Sequence, residues 1–550
     1  MAEFAHPTQQ RCIAKPIVVA VFVAFVCATA PLASKIVLAA DPSLNDWNAA
    51  GVTVIAKNRD TTEAETTVAK KKTSGDVAKK SPAPKKSTSG NSAAKKKGDL
   101  FGADPTYEKT YDAEGQVGIY GSKVAVDPPR PPLEFGRQQY TSGLYDESNT
   151  LLGEKNPLLP GLAVYGDWRT AIAYNNNNGK DVAQIATRLN IDVDLKITAT
   201  ERIHAFFTPI QEDNVRFTRF EFGGGDGDGK FTAEFDPNPQ TLFFEGDFGS
   251  LYSGLSGSES KFDLPFVAGL YPLFLQNGTW ANDAILGGAV TLPARNSPSL
   301  GLSNYDVTFF AAFDNVNNAS LIGADGKVDN HSANLYGVTT FIDAFNGYIE
   351  AGYGLVQGYD DQDGLLKHFF TAAYSRRYNN TLSNSTRLFA NFGDDPKGNG
   401  DGFAIISENS LISGLPSTLV PYANFFIGFG NPQPLVDGNN AGILKNVGIN
   451  FETDALTGYP KLDDTASNAW GGAIGLQYLF NLDQQLVFEV AMVQPFKDDG
   501  IGAKDPQYGF GVRYQIPINR AWLFRADATY HIREGEEDNF GIRTEIRRKF

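Results

Sequence analysis

The sequence predicts an all-β protein in which 16 or 18 antiparallel strands close into a transmembrane barrel. Three observations lead to this fold class: a strict alternation of apolar and polar residues, an alternation of short and long connections, and an amphipathic strand that reaches the last residue. Successive side chains of a β-strand point to opposite faces, so a period of two gives each strand one apolar and one polar face. A closed barrel can turn the apolar faces toward lipid and leaves no unpaired strand edge.

The chain begins with a segment that has the pattern of a secretory signal peptide. Arg11 and Lys15 precede an apolar run over residues 17–30, and small residues follow up to Ala40. The run is shorter than the ~20 residues that a spanning helix needs, which favours cleavage near residue 40 over a retained membrane anchor. Both cysteines of the chain lie in this segment. We therefore assign residues 1–40 to a signal peptide and expect an exported mature chain without disulfide bonds.

Residues 41–100 form a low-complexity segment rich in lysine. Positions 57–97 contain eleven Lys and one Arg against four acidic residues, and large apolar side chains are almost absent. Such a segment cannot bury enough apolar surface to fold alone, so we expect a disordered periplasmic tether. Adhesion of its Lys70–Lys97 part to anionic cell-wall polymer by Coulombic attraction is the open alternative. We expect no nucleic acid partner, because an exported protein seldom meets one.

The barrel is predicted over residues 161–550, after a Pro-containing linker at 101–160. Nineteen candidate strands follow one another from Tyr165 to Phe550. A single-chain bacterial barrel has an even number of strands, so at least one candidate must be wrong, and the count favours 18 over 16. We identify Leu264–Trp280 as the doubtful segment, because it contains two prolines and does not alternate. We expect it to be an inward-folded loop.

One candidate strand, IATRLNIDVDLKI at residues 185–197, shows how strongly alternation specifies the fold. Its even positions include Arg188, Asp192, Asp194 and Lys196, whereas its odd positions are aliphatic apart from one threonine. Sliding the strand by one residue would turn these charges toward lipid, at roughly 2–4 kcal/mol for each basic residue near the midplane. The total is comparable to the ~5–15 kcal/mol that stabilises a whole domain. The odd face is therefore predicted to meet lipid and the even face a wet lumen.

Short and long connections alternate in the second half of the chain. Tight turns are predicted at Asn346-Gly347 and Asn379-Asn380, and long polar loops at 393–402 and 430–469. Outer-membrane barrels have this arrangement, because their periplasmic turns are short and their outer loops are longer. A β-sandwich has no reason to follow such a rule, and a propeller would show a blade repeat, which the sequence lacks.

The last strand, FGIRTEIRRKF, alternates up to the final residue. Ile542, Ile546 and Phe550 lie on its apolar face. In this respect the sequence resembles the Gram-negative outer-membrane porins, whose final strand is amphipathic and ends in Phe. The resemblance implies that these three residues form the signal read by the barrel-assembly machinery. Arg548 departs from the pattern, because the family favours an aromatic or aliphatic residue at that place.

Charged residues on the polar faces are the candidates for the lumen and its constriction. Simple hairpins would bring Arg513, Arg525 and Arg547 to a similar height on three neighbouring strands. The resemblance to porins implies that a basic cluster facing acids sets a transverse field, whereas the plainer alternative is that these charges only keep the lumen wet. The full set of candidates is Arg188, Asp192, Asp194, Lys196, Arg377, Arg387, Arg513, Arg525, Asp527, Arg543, Glu545 and Arg547.

The sequence lacks the common catalytic and metal-binding patterns that would favour an enzyme. Four histidines remain after residue 40, and HExxH and GxSxG are absent. The glycine-rich stretch Gly223–Lys230 lacks the ending of a phosphate-binding loop, and the acidic loops lack the ligand spacing of calcium loops. We therefore predict no enzyme, no cofactor and no metal site.

The sequence as a whole predicts a porin in the cell outer membrane that allows passive diffusion of small hydrophilic solutes or ions. Its partners would be outer-membrane lipid and these solutes, and a homotrimer is one candidate assembly. Two alternatives stay open. One is a secreted or surface-attached all-β binding protein of the cell envelope, and the other is a porin-type channel dedicated to sugars or polysaccharide.

Overall fold

The computed structural model describes residues 131–136 and 160–550, apart from short gaps at 213–215, 225–228, 324–325, 327, 397, 399, 415–417, 439–441, 453–455, 481–483, 499 and 520. The predicted signal peptide, the Lys-rich segment and most of the predicted linker lie outside the described residues. None of the described helices is long and apolar enough to cross a membrane.

The described residues form twenty-three strands and one α-helix. In chain order they are β1 (Leu133–Gly136), β2 (Gly161–Asn177), β3 (Lys180–Lys196), β4 (Arg202–Phe207), β5 (Gln211–Glu212), β6 (Arg216–Gly223), β7 (Lys230–Thr232), β8 (Pro239–Asp247), α1 (Phe248–Ser256), β9 (Pro265–Leu275), β10 (Ala281–Ser297), β11 (Leu302–Asp314), β12 (Ala333–Ala344), β13 (Gly347–Gly358), β14 (Leu366–Tyr378), β15 (Leu382–Asp394), β16 (Gly402–Leu411), β17 (Leu419–Gly430), β18 (Val436–Asp437), β19 (Ala469–Phe480), β20 (Gln484–Pro495), β21 (Gln507–Pro517), β22 (Trp522–Arg533) and β23 (Asn539–Lys549).

Eighteen of these strands form one closed antiparallel ring. The ring runs β2, β3, β4, β8 to β17 and β19 to β23, and the last strand pairs with the first over residues 167–176 and 540–549. Beyond that ladder, the backbones of Gly166 and Phe550 exchange two hydrogen bonds of 3.0 Å. The predicted fold class is therefore confirmed, with 18 strands rather than 16. Because the ring is closed, neither end strand is left with an unpaired edge.

The expectation that Leu264–Trp280 is an inward-folded loop was wrong. Residues 265–275 form β9, which pairs with β8 and β10 along its length. Alternation is absent there because both faces are apolar: Tyr271 and Leu273 point into a packed lumen, while Phe274 points outward. The surplus candidate is instead β6, which pairs with the 183–187 part of β3 while β4 pairs with its 191–196 part. The seventeen residues of β3 are long enough to serve both partners.

The two ends of the barrel differ in the length of their connections. At the end where the chain terminates, the connections are 197–201, 248–264, 298–301, 345–346, 379–381, 412–418, 481–483 and 518–521. At the opposite end they are 178–179, 208–238, 276–280, 315–332, 359–365, 395–401, 431–468, 496–506 and 534–538. The connections at the first end are therefore shorter on the whole, and the clearest exceptions are the α1 segment at 248–264 and the two-residue turn at 178–179. The tight turn after β12 is Phe345-Asn346, one residue earlier than predicted, and both residues have positive φ as a type I′ turn requires.

The longest connection, residues 431–468, enters the barrel, and we call it the inserted loop. It forms a short parallel pairing with β10 through Val436 and Asp437. Its apolar side chains, among them Leu435, Leu444 and Phe451, are fully buried in one cluster with inward-facing residues of β9 to β17. We call that part of the barrel interior the apolar wall. The core of this protein therefore lies inside the barrel, between the inserted loop and the apolar wall.

Candidate functional site

The most charged part of the lumen is a group of arginines that we call the arginine wall. Alternation on β2, β3, β21, β22 and β23 turns one face of each strand inward, and these five strands are consecutive around the ring. On β23, for example, Ile542 and Ile546 are exposed on the outside, while Arg543 is 1% exposed. The arginine wall consists of Arg169, Arg188, Arg513, Arg525, Arg543 and Arg547.

Strand register decides which charges become neighbours. Arg169 lies directly between Arg188 of β3 and Arg547 of β23, so three guanidinium groups share one row. In the next rows of β22 and β23, Arg525 pairs with Glu545 and Asp527 with Arg543. Like charges that lie directly opposite repel, so the row of three arginines depends on the carboxylates beside it.

Two buried carboxylates hold most of the wall together. Asp527 accepts hydrogen bonds from Nε of Arg513 at 2.7 Å, Nε of Arg525 at 2.8 Å and Nη2 of Arg543 at 2.6 Å. Each of these is a charge-assisted bond, which is stronger than a bond between neutral groups. A single aspartate therefore fixes three guanidinium groups.

Glu545 plays the same part for the row of three. It accepts a bidentate pair from Arg169, at 2.9 and 2.8 Å, and a longer bond from Nη2 of Arg547 at 3.4 Å. Nε of Arg547 lies 3.6 Å from Oδ2 of Asp167. Arg188, the third member of the row, donates through Nε to Oδ1 of Asn190 at 2.8 Å, a neutral acceptor. Positive charge is therefore least compensated around Arg188.

The inserted loop contributes one more carboxylate to the wall. Glu452 forms ion pairs with Arg513 and with Arg525, the latter at 3.2 Å. Burial opposes ionisation of Glu452, but the guanidinium groups of Arg513 and Arg525 outweigh it and hold the pKa of this carboxyl well below its usual range. Six guanidinium groups thus face four carboxylates, those of Asp167, Glu452, Asp527 and Glu545, and the wall keeps a formal charge of +2.

A separate anchor holds the loop next to the wall. Glu489 on β20 is 3% exposed and accepts hydrogen bonds from the backbone N–H groups of Ile449 and Asn450, both at 2.9 Å. Tyr422 on β17 donates its hydroxyl to the same carboxylate at 2.5 Å. Thr529 on β22 donates to Oδ1 of Asn450 at 2.9 Å. Glu452 therefore projects from a segment that is fixed two residues earlier in the chain.

The loop then reaches the other side of the arginine wall. The backbone oxygen of Thr457 accepts from Nδ2 of Asn175 at 2.7 Å and from Nε2 of Gln184 at 2.6 Å. The ring of Tyr459 lies under the guanidinium of Arg543, whose central carbon is 5.1 Å from the ring centroid. The inserted loop consequently crosses the lumen from the apolar wall to β2 and β3 and narrows it.

Six of the twelve predicted site residues lie close to Glu452 or to the row of three arginines formed by Arg188, Arg169 and Arg547. These six are Arg513, Arg525, Asp527, Arg543, Glu545 and Arg547. Arg188 completes that row. The remaining five lie elsewhere on the inward faces of their strands. Asp192 and Asp194 contact His204 at 3.3 Å and Arg202 at 3.2 Å, and Lys196 ends β3 beside them. Arg387 pairs with Glu408, and Arg377 lies opposite Ser383 near the end of β14.

Sequence reasoning missed several charged residues of the interior, among them Arg169, Glu452 and Lys367. Arg169 could have been found, because it alternates with the aliphatic residues of β2 as Arg188 does on β3. Glu452 gave no signal, since it lies in a connection without periodicity. Lys367, which is fully buried, donates to Ser320 at 2.7 Å and to the backbone oxygen of Gly400 at 2.9 Å. Lys367 thereby links two connections at one end of the barrel, 315–332 and 395–401.

The assembly-signal candidates lie on the outer surface of the final strand. Ile542 and Ile546 are 58% and 44% exposed, and Phe550 makes the backbone contact that closes the ring. Their role in assembly stays a prediction. Among the described residues, His, Cys, Asp and Glu side chains form no group of three that could hold a metal ion.

Comparison with known proteins gives likenesses at the level of structure. No protein-family model and no curated relative matches the sequence. Among solved structures, Pseudomonas aeruginosa OccK2 (OpdF) is similar with a TM-score of 0.47 and 10% identity, over 71% of this chain and 97% of that one. P. aeruginosa OpdK, solved with vanillate, has a TM-score of 0.46 and 11% identity, over 70% and 98%. P. aeruginosa OccK8 (OprE) has a TM-score of 0.43 and 10% identity, over 71% and 98%.

Proposed function

We propose that this protein is a channel of the bacterial outer membrane through which small hydrophilic solutes diffuse passively, and that its lumen favours anions. One observation carries the proposal: the barrel is closed, its outward face is apolar and its inward face bears a cluster of charges. Such a barrel satisfies every backbone group of its strands without water, which is what a β-structure needs to cross a membrane. Its periplasmic end would be the one with the shorter turns.

The outward face supports a lipid environment. Ile172 on β2, Ile474 on β19 and Val490 on β20 are each at least half exposed, and they lie on strands distributed along the chain from 161 to 495. Soluble monomers rarely expose contiguous apolar patches beyond a few hundred Å². In lipid, exposure of these side chains carries no free-energy penalty, because they contact apolar acyl chains. The alternative of a secreted or surface-attached binding protein would have to turn these residues to water.

The arginine wall supports a preference for anions. Its formal charge of +2 lies inside the barrel, where a surrounding of low dielectric focuses the field on the pore. Acidic residues of the outer connections, such as Glu534, Glu536 and Glu537, are exposed, so salt screens them more strongly. We infer that the net charge of the whole chain, −15, is a poor guide to selectivity. Small anionic solutes would pass next to Arg188, where positive charge is least compensated.

Planar-bilayer recording in a salt gradient tests the proposal. Replacing Arg525 and Arg547 by Ala should move the reversal potential toward the cation equilibrium potential, because the wall then changes from +2 to neutral. Arg548→Ala is the matched control, since this arginine is the next residue on β23 but points outward. An unchanged reversal potential in the double variant would remove the arginine wall from the constriction. Recovery of the protein as a soluble, detergent-free particle would overturn the channel itself.

A further inference from the structure

We propose that Arg548, which lies between Trp522 and Trp168 on the outer surface of the barrel, binds the phosphate of a phospholipid headgroup in the periplasmic leaflet. The inference goes beyond solute diffusion, but it rests on the proposed insertion in the outer membrane. We call these three residues the outer triad.

Register places the triad in one line. Arg548 of β23 is directly opposite Trp522 of β22 on one side and Trp168 of β2 on the other. All three side chains are exposed, with Trp168 at 51% and Trp522 at 38%. The central guanidinium carbon of Arg548 lies 5.5 Å from the ring centroid of Trp522, which is within cation–π distance. The line therefore presents one fixed positive charge between two indole rings.

Arg548 differs from the other arginines of the final strand in its counter-charge. Arg543 and Arg547 point inward and meet carboxylates at 2.6 and 3.4 Å. Within the described part of the chain, Arg548 has no carboxylate partner: its recorded side-chain contact is the ring of Trp522. An outward guanidinium at the membrane boundary needs an anion, and a planar guanidinium binds phosphate oxygens in bidentate fashion.

The position along the barrel selects the ligand. Arg548 lies two residues before the chain terminus, at the end of the barrel with the shorter turns. Trp residues sit at the level of lipid headgroups because their rings are largely apolar and carry one polar N–H. The N–H of Trp168 donates to Oγ1 of Thr187 at 2.6 Å, so Trp168 contributes an apolar ring beside the headgroup and no hydrogen-bond donor. Below Arg548 on the same face, Ile546 and Ile542 offer an apolar track for an acyl chain.

A second pair of the same kind lies across the barrel. On β14, the guanidinium of Arg376 is 5.2 Å from the ring centroid of Tyr378, and both point outward near the same end. Arg376 and Arg548 thus both lie at the same end of the barrel, and each guanidinium is held against an aromatic ring. A lone arginine that only extends toward water would have no such ring partner. The arrangement indicates a belt that contacts headgroup phosphates.

Native mass spectrometry of the full mature chain in detergent, titrated with dioleoyl phosphatidylglycerol, tests the site. Arg548→Gln should weaken the affinity for the first bound lipid by about tenfold, because it removes one charge-assisted hydrogen bond. Arg547→Gln is the matched control, because it removes the same charge from the adjacent residue on the inner face, and it should leave lipid binding unchanged. Arg548→Lys should keep part of the affinity.

Four outcomes would overturn the proposal. The first three are equal binding of phosphatidylglycerol by wild type and Arg548→Gln, binding of dioleoylglycerol, which lacks the phosphate, as tightly as phosphatidylglycerol, and a wild-type protein that forms dimers in place of the lipid-bound monomer. Preference for lipid A over phosphatidylglycerol would assign the triad to the other leaflet and would also contradict it. Heat-modifiable migration and bilayer conductance of the same variant show whether the barrel is intact. Failure of the lipid site is thereby distinguishable from failure of the proposed channel.

Discussion

The arginine wall and the apolar wall occupy the same barrel, have the same apolar exterior and present opposite interiors to the inserted loop. From β21 to β3 the loop is held by ion pairs and hydrogen bonds, as at Glu452 and Thr457. From β9 to β17 it is held by apolar packing, as at Leu435 and Phe451. The difference shows how one loop can close half of a lumen and leave the other half polar. At the apolar wall, side chains pack and fill the space without water. At the arginine wall, the charged groups keep part of their hydration.

Truncation at the apolar wall should have the largest effect. Trp280 is 1% exposed, its backbone oxygen accepts from the N–H of Leu435 at 2.7 Å, and its ring fills the space over Gly352, where a Cβ would lie 2.6 Å from the ring. Trp280→Ala should lower the free energy of unfolding by about 3–5 kcal/mol, because a large cavity is left beneath the loop. Urea unfolding in lipid vesicles measures the loss.

Trp470→Ala is the control for that truncation, since Trp470 points outward and is 44% exposed. It should cost clearly less than Trp280→Ala. Equal costs for the two variants would mean that the packing of the inserted loop contributes little to stability.

Neutralising the loop carboxylate should have an intermediate effect, which is measured as a change in ion selectivity. Glu452→Gln changes the formal charge of the arginine wall from +2 to +3. The anion-to-cation permeability ratio should rise by up to about fivefold, since a unit charge within ~4 Å is worth about 1 kcal/mol in water. Reversal potentials in a salt gradient measure the ratio.

Glu534→Gln, in the outer connection between β22 and β23, is the control for Glu452→Gln. It removes the same charge from an exposed position and should change the ratio little. If both variants shift the ratio equally, the inserted loop does not reach the conducting path.

A change of pH should have the smallest effect. Burial raises the pKa of Asp463 in the inserted loop to about 6, although its carboxylate accepts from the hydroxyl of Thr465 at 2.7 Å. A carboxyl whose pKa is raised on folding stabilises the fold below its unfolded pKa of ~3.9, and this stabilisation is lost as pH rises through 6. We expect the free energy of unfolding, measured with urea, to fall by about 1 kcal/mol between pH 4.5 and 7, after allowance for the partial exposure of Asp463.

Asp463→Asn should remove that pH dependence and leave the stability near its low-pH value. The same dependence in wild type and variant would assign it to another group.

Prediction from sequence succeeded where alternation is strict and failed where both faces are apolar. The strands β3, β22 and β23 were found with their inward and outward residues correctly assigned. The segment 265–275 was misread because the inserted loop makes the inner face of β9 as apolar as the outer one. Arg525 and Glu545 could be placed on neighbouring strands, yet which carboxylate meets which arginine required the register.

The sequence by itself determined the closed antiparallel barrel, because a period of two is a local property that each strand carries independently of its neighbours. Only the tertiary structure decided that residues 431–468 turn inward, that Glu452 reaches Arg513, and that Arg548 stands between two tryptophans. These contacts join residues far apart in the chain or on different strands. They depend on strand order, register and packing within the ring, none of which is written in a local pattern.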